Sequence, residues 1–233
     1  MLLYLILLLP YFCLEAECIE RELLITGCAR SGTTYISQLF KKSGIDLSHD
    51  HEYGAVGRYG LSSWLLVPDA THAPWGPVRH DCLFHHIFHQ TRHPLQVISS
   101  AYTTEPKISW IFILENVPEI TWEDRHVVKA AKYWYYWNAM AEKIAEWRYR
   151  VEEIAFALPE MERRLQITLD SSLIDTLPNN TNTRGAHTKD FTWEDLQKEL
   201  NPELFWKIAE MARRYGYLDA PSPDIYPCRA LAA

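Results

Sequence analysis

The chain reads as an α/β protein, with a central parallel sheet flanked by helices in three layers. Three observations predict this. Short apolar runs rich in Leu and Ile alternate with helix-length amphipathic segments. The first run, residues 22–26, feeds a glycine-framed turn and then a helix. The second, residues 83–90, ends near Arg92 and a helix opened by Pro94. Strands alternating with helices pair in parallel through crossovers. Ligands of such sheets bind at the carboxyl ends of the strands.

Residues 1–14 are almost wholly apolar (MLLYLILLLPYFCL). They fall short of the roughly 20 residues that a membrane-spanning helix needs. Three readings stand: a secretory signal with Ala16-Glu-Cys18 as cleavage site, a shortened membrane anchor, or an upstream stretch from a misplaced start. Residues 1–18 are therefore set apart from one expected domain over residues 19–233. Residues 22–26 read as a buried strand and 27–32 as the turn. Residues 33–43 read as a helix with Tyr35, Ile36, Leu39 and Phe40 on one face and Gly44 as its stop. Residues 45–80 look irregular, rich in Gly, His and Pro. After the strand over 83–90, Pro94 suits a first helical position. Residues 122–150 hold no proline or glycine and read as one long helix, and 151–156 as a further strand. Residues 178–189 form a polar loop. Thr192-Trp-Glu-Asp195 reads as a capping box, with Asp in place of the usual Glu. Residues 202–215 form an amphipathic terminal helix.

With 233 residues, about half of them apolar, the chain is long enough for one sizeable core. Its net charge of −7 argues against a general nucleic-acid binder. Five scattered cysteines with no C-x-x-C spacing suit neither a disulfide scaffold nor a zinc site. Cys28 lies inside the turn, where a small residue fitting a tight loop explains it better than a nucleophile does. His80, His85, His86, His89 and His93 crowd one region. On a strand, adjacent members face opposite sides, so they disperse and no metal site is expected. Nine Trp and thirteen Tyr supply mostly core.

Two segments carry chemistry. The first is Thr26-Gly-Cys-Ala-Arg-Ser-Gly-Thr-Thr34. A P-loop reads G-x-x-x-x-G-K-[ST]. Gly27 and Gly32 keep its frame and Thr34 its hydroxyl, but Thr33 takes the place of the lysine that reaches the outer phosphates. The cation has moved to Arg30. Backbone N–H groups at a helix N-terminus cradle oxyanions. The second segment is His89-Gln-Thr-Arg-His-Pro-Leu-Gln-Val-Ile-Ser-Ser100. Arg92 ends a strand and Ser100 lies on the next helix. A fixed guanidinium and a nearby hydroxyl suit a phosphate monoester. An ordinary surface arginine with a capping serine accounts for the second segment equally well.

Taken together and in this order, the segments resemble the PAPS-dependent sulfotransferases (PAPS is 3′-phosphoadenosine 5′-phosphosulfate). Gly-Cys-Ala-Arg-Ser-Gly-Thr-Thr looks like their 5′-phosphosulfate loop. Arg92-x-Pro with Ser100 resembles their 3′-phosphate motif. A weaker likeness covers about residues 22–218. It includes Gly60-Leu-Ser-Ser-Trp64, Tyr133-Trp-x-x-Trp137-Asn138, Asn-Thr-Arg-Gly at 182–185, Phe191-Thr-Trp193-Glu-Asp-Leu and Arg214-Tyr-Gly-Tyr217. The chain resembles the small single-domain members more than the cytosolic phenol or steroid enzymes.

The resemblance implies a P-loop-like fold and PAPS as co-substrate. Gly27, Arg30, Ser31, Gly32, Thr33 and Thr34 would hold the 5′-phosphosulfate. Arg92 and Ser100 would hold the 3′-phosphate, and the loop with Arg184 and Gly185 would close over the nucleotide. Arg30 would stabilise the leaving charge. Members use Glu or His as the base that takes the acceptor's proton. Glu52, in His49-Asp-His51-Glu52-Tyr53, is the first choice and His51 the second, with a solvated polar loop as the plain alternative. Like charge near Glu52 would raise its pKa. No metal is expected, since the lysine–Mg²⁺ arrangement has no replacement.

Two other readings are weighed. A small-molecule or nucleoside kinase would need Mg²⁺ and ATP, and Thr33 disfavours it. A catalytically inactive member would persist as a binding module. Residues 45–80 and 104–125, with Trp64, Trp75 and Trp110, are the expected acceptor loops and hint at a carbohydrate or a small hydrophobic alcohol. Secretory or membrane-associated placement is slightly favoured over cytoplasmic.

Overall fold

The computed structural model describes residues 19–50, 56–65, 82–104, 107–177 and 189–222. Five strands form one sheet. They are β1 (Ile19–Thr26), β2 (Leu47–His49), β3 (Gly60–Ser63), β4 (Cys82–Thr91) and β5 (Trp147–Arg150). The order is β2-β3-β1-β4-β5 and every pairing is parallel. The α/β architecture with a parallel central sheet flanked by helices is thus observed.

β1 is the middle strand. Leu23, Leu24 and Ile25 are all buried, as expected of a parallel strand covered on both faces. α1 (Thr33–Lys42) follows it and leads to β2 and β3 on one side. β4 then pairs with the opposite edge of β1. The chain therefore changes direction across the sheet between β1 and β4. That point opens the crevice where doubly wound sheets place their ligands.

The two faces differ in kind. One carries an aliphatic cluster of Leu23, Ile25, Ile36, Leu39, Leu47 and their neighbours from α5 (Ile154–Leu165). The other carries an aromatic cluster beneath α2 (Pro94–Thr104), α3 (Lys107–Asn116) and α4 (His126–Ile144), with Trp64, Tyr133, Trp134 and Trp137 at its centre. Short α6 (Leu173–Thr176), α7 (Trp193–Glu199) and α8 (Pro202–Arg214) complete the described chain. The capping box at α7 forms as expected. Thr192 Oγ1 accepts from Asp195 N at 3.1 Å, and Asp195 Oδ2 accepts from Thr192 N at 3.0 Å.

Four sequence expectations need correction. Residues 122–150 are not one helix. α4 stops where Ala145 turns extended (ψ 137°), and Glu146 N donates to Ile87 O at 3.0 Å, which starts β5. Residues 151–156 are not a strand, but a 3₁₀ turn (Val151–Glu153) running into α5. Residues 45–80 contain β2 and β3, and 104–125 contain α3. Trp64 and Trp110 are buried in the aromatic core rather than offered to an acceptor; Trp75 lies outside the described residues. Among the described residues, no helix is long and apolar enough to cross a membrane. The apolar residues 1–18 also fall outside the described part.

Candidate functional site

The turn after β1 is built from two residues at positive φ, Arg30 (73°) and Gly32 (93°). Glycine adopts that region without steric cost, whereas arginine is uncommon there. Ser31 closes the loop on itself: its N–H and its hydroxyl both donate to Cys28 O, at 3.1 and 2.6 Å. Gly27 has no room for a side chain unless its surroundings shift. A Cβ there would lie 2.1 Å from the Gln90 carbonyl of β4. The first backbone bond of α1 runs from Ile36 N to Gly32 O, so the preceding N–H groups have no intrahelical partner.

β4 holds this turn from the side. Arg92 follows directly on β4, and its Nη1 donates to Arg30 O at 3.0 Å. Its Nε donates to Gln96 Oε1 at 2.8 Å, which fixes the plane of the guanidinium. Burial lowers the Arg92 pKa from its ordinary value, opposed by the nearby Glu152 and Tyr217. Two residues earlier, within β4, Gln90 Nε2 donates to Ser31 O at 2.6 Å, while Tyr149 Oη donates to Gln90 Oε1 at 2.6 Å. The guanidinium at 92 and the glycine turn therefore share one place. Ser100 sits on α2, partly buried.

α4 braces both ends. Ala29 N donates to Tyr133 Oη at 2.7 Å, and Trp134 Nε1 donates to Arg92 O at 3.2 Å. The aromatic run read from the sequence as core thus also ties the two strand ends to one helix. Cys28 is buried against α4, with Sγ 3.7 Å from Trp134 O. Burial pushes its thiol well above the ordinary range, so it stays protonated and packs rather than attacks.

On the other side of the turn stands His49, at the end of β2. Its Nε2 lies 3.0 Å from Thr33 Oγ1 and 3.2 Å from Thr34 Oγ1. Asp50 follows, buried, with Oδ2 3.9 Å from the same nitrogen and accepting from Trp64 N at 3.4 Å. Burial raises the Asp50 carboxyl to about 7, against hydrogen bonds from Ser63 and Trp64 that lower it. His49 and Gln90 are the two residues that the sequence reading left without a role. The His-Asp-His-Glu run was the signal for the first. Nothing local signals the second.

Gly27, Arg30, Ser31, Gly32, Thr33, Thr34 and Arg92 are brought together. His51, Glu52, Arg184 and Gly185 lie outside the described residues. The histidines of β4 do disperse: His86 pairs with Glu146 at 2.7 Å, and His89 bonds Asn138 Oδ1 at 2.9 Å. Among the described residues, no group of three or more His, Cys, Asp or Glu is placed to hold a metal. What the site offers is a backbone turn at a helix N-terminus that includes one arginine, a second arginine whose guanidinium lies against it, and a histidine on its hydroxyls. That combination suits an oxyanion on which a neighbouring group reacts. No family model matches the chain, and no curated protein or solved structure shows significant similarity to it.

Proposed function

We propose that the chain is a PAPS-dependent sulfotransferase of P-loop-like type. It would move a sulfuryl group from PAPS to a hydroxyl or amine of a carbohydrate or small alcohol, releasing 3′,5′-ADP. The observation that supports this reading most is the 3.0 Å hydrogen bond from Arg92 Nη1 to the Arg30 carbonyl. It puts the second cation of the motif pair at the mouth of the first. A nucleotide charged at two separate places would need both cationic groups within its reach.

In this reading the turn's N–H groups, Arg30, Thr33 and Thr34 bind the 5′-phosphosulfate, and Arg92 with Ser100 binds the 3′-phosphate. Arg184 and Gly185 are carried over from the resemblance alone. The acceptor oxygen attacks sulfur as the bond from sulfur to the bridging oxygen breaks. The electron pair leaves on the 5′-phosphate of 3′,5′-ADP, where Arg30 and the turn's N–H dipoles stabilise it, the effect that usually dominates. The acceptor's proton passes to a base in the 49–52 run. Glu52 and His51 remain the choices from resemblance. His49 joins them, as the member in contact with the turn's hydroxyls. The chemistry asks for no metal.

Thermal melting with 3′,5′-ADP and separately with ATP–Mg²⁺ tests the reading, followed by transfer from ³⁵S-labelled donor across glycans and small alcohols. Stabilisation by 3′,5′-ADP with label on an acceptor supports it. Stabilisation by ATP–Mg²⁺ alone would turn the assignment to a kinase, and binding without transfer would turn it to an inactive module.

A further inference from the structure

We infer that Gln90 is a positioning residue that aims the Gly32 N–H at a bound anion, and that Tyr149 sets which way Gln90 faces. The inference rests on reading the turn as an anion cradle, not on which nucleotide fills it. Gln90 is wholly buried in β4, directly beside the turn. Its Nε2 donates to Ser31 O at 2.6 Å. The peptide between Ser31 and Gly32 is planar and trans, so its C=O and N–H point in opposite directions. A carbonyl held toward β4 therefore drives the Gly32 N–H away from β4. Gly32 sits at φ 93°, so this peptide has other accessible orientations unless something holds it.

A primary amide can hold a carbonyl in one orientation only. Flipped, it would set its own oxygen against Ser31 O. Tyr149 prevents the flip. It is buried on β5, and burial raises its phenol far above the ordinary value, so it remains a donor. Its Oη donates to Gln90 Oε1 at 2.6 Å and leaves the NH₂ end for Ser31. The fit is close: a Cβ on Gly32 would come within 3.2 Å of Gln90 Nε2. A hydrogen-bonded chain thus runs from β5 through β4 to the turn, and none of its side chains need touch the ligand. In that respect Gln90 differs from Arg92, which donates to the preceding carbonyl and also carries charge.

The test uses inorganic sulfate as probe, because it does not titrate between pH 5 and 8. Binding is followed on the full chain by calorimetry and by the Gly32 amide resonance. Gln90→Glu keeps the shape but at pH 8 presents a carboxylate to Ser31 O. Sulfate affinity should fall about tenfold relative to wild type, the loss of roughly one oriented N–H. At pH 5 the buried carboxyl is protonated and donates again, and affinity should return to within about threefold of wild type. Tyr149→Phe should weaken sulfate several-fold at both pH values. It also serves if Gln90→Glu does not fold. Wild-type affinity in both variants, or a loss in Gln90→Glu that does not recover with acid, overturns the inference. If sulfate behaves as expected but wild type fails to bind 3′,5′-ADP, the strut stands and the nucleotide reading falls. If 3′,5′-ADP binds and the variants match wild type, the reverse holds.

Discussion

β1 and β4 are neighbours in the sheet, and each ends at the proposed anion site, but the two ends are made of different material. The β1 end is backbone. Six residues with two positive φ values present N–H groups and a helix N-terminus. The β4 end is side chain: a buried glutamine amide, then a guanidinium, each donating to one carbonyl of the turn. A backbone cradle binds well only if its peptides are held, and glycine-rich backbone does not hold itself. The β4 end supplies that hold. Arg92 fixes the Arg30 carbonyl, and in the proposed reading it would also offer charge to the ligand.

If the β1 end carries the reacting group, removal of the base should give the largest effect. Glu52→Gln, His51→Gln and His49→Gln are to be compared. One of them should lower turnover by about 10²–10⁴-fold with donor affinity spared, the range for positioned proton transfer. Wild-type turnover in all three would place the base elsewhere and detach the 49–52 run from the chemistry.

The contact between the two ends is tested next by Gly27→Ala. The added methyl would collide with the Gln90 carbonyl, which is main chain and has no room to give. A loss of about 3 kcal/mol is expected in urea unfolding, the upper part of the range for overpacking. Unchanged stability would mean that the strands separate easily there and that β4 does not grip the turn. Arg92→Ala then probes the β4 end by itself. Donor binding should weaken by about 1.5–3 kcal/mol, as for hydrogen bonds to charged groups. Arg92→Lys should recover only part, because a single ammonium lacks the fork that serves Gln96 and Arg30 O together.

A further expected effect is a slope in stability against pH. Asp50 is raised to about 7 from an ordinary value near 3.8, so the folded state binds the extra proton. Its contribution is present at low pH and lost as pH rises from about 4 through about 7. His89 has the opposite sign. Burial lowers it to about 4 from 6.5, so its contribution is present above 6.5 and lost as pH falls toward 4. Asp50→Asn should remove the alkaline loss and His89→Gln the acid one, each read from melting temperature between pH 4 and 8. Parallel curves for wild type and Asp50→Asn would mean that the carboxyl is not buried as described.

Much of this was legible before any coordinates. β1, the turn, α1 with Gly44 beyond it, β4, Pro94 opening α2, and the capped α7 and α8 all carry local signals that tertiary context did not override. β2 and β3 were missed because three and four residues are too few to show a period, and their identity depends on pairing across the sheet, β3 with β1 and β2 with β3. β5 was absorbed into a helix since Trp147-Arg-Tyr-Arg follows α4 with no breaker between them. α5 was hidden by Pro159, an interior proline that reads as a stop. In the site, Arg92 was legible from its motif. Gln90 was not, because its work depends on a partner across the sheet at each end of its amide. His49 needed β2 to be recognised before its position beside Thr33 had meaning.

In the proposed reading, two strand ends grip one adenylate at two charged places. This is tested most directly by the affinity difference between 3′,5′-ADP and 5′-AMP, which differ only in the 3′-phosphate. Wild type should prefer 3′,5′-ADP by tenfold or more, about 1.4 kcal/mol, and Arg92→Ala should abolish that preference while still binding 5′-AMP. Equal affinities of wild type for the two nucleotides, or a preference that survives in Arg92→Ala, would contradict the account.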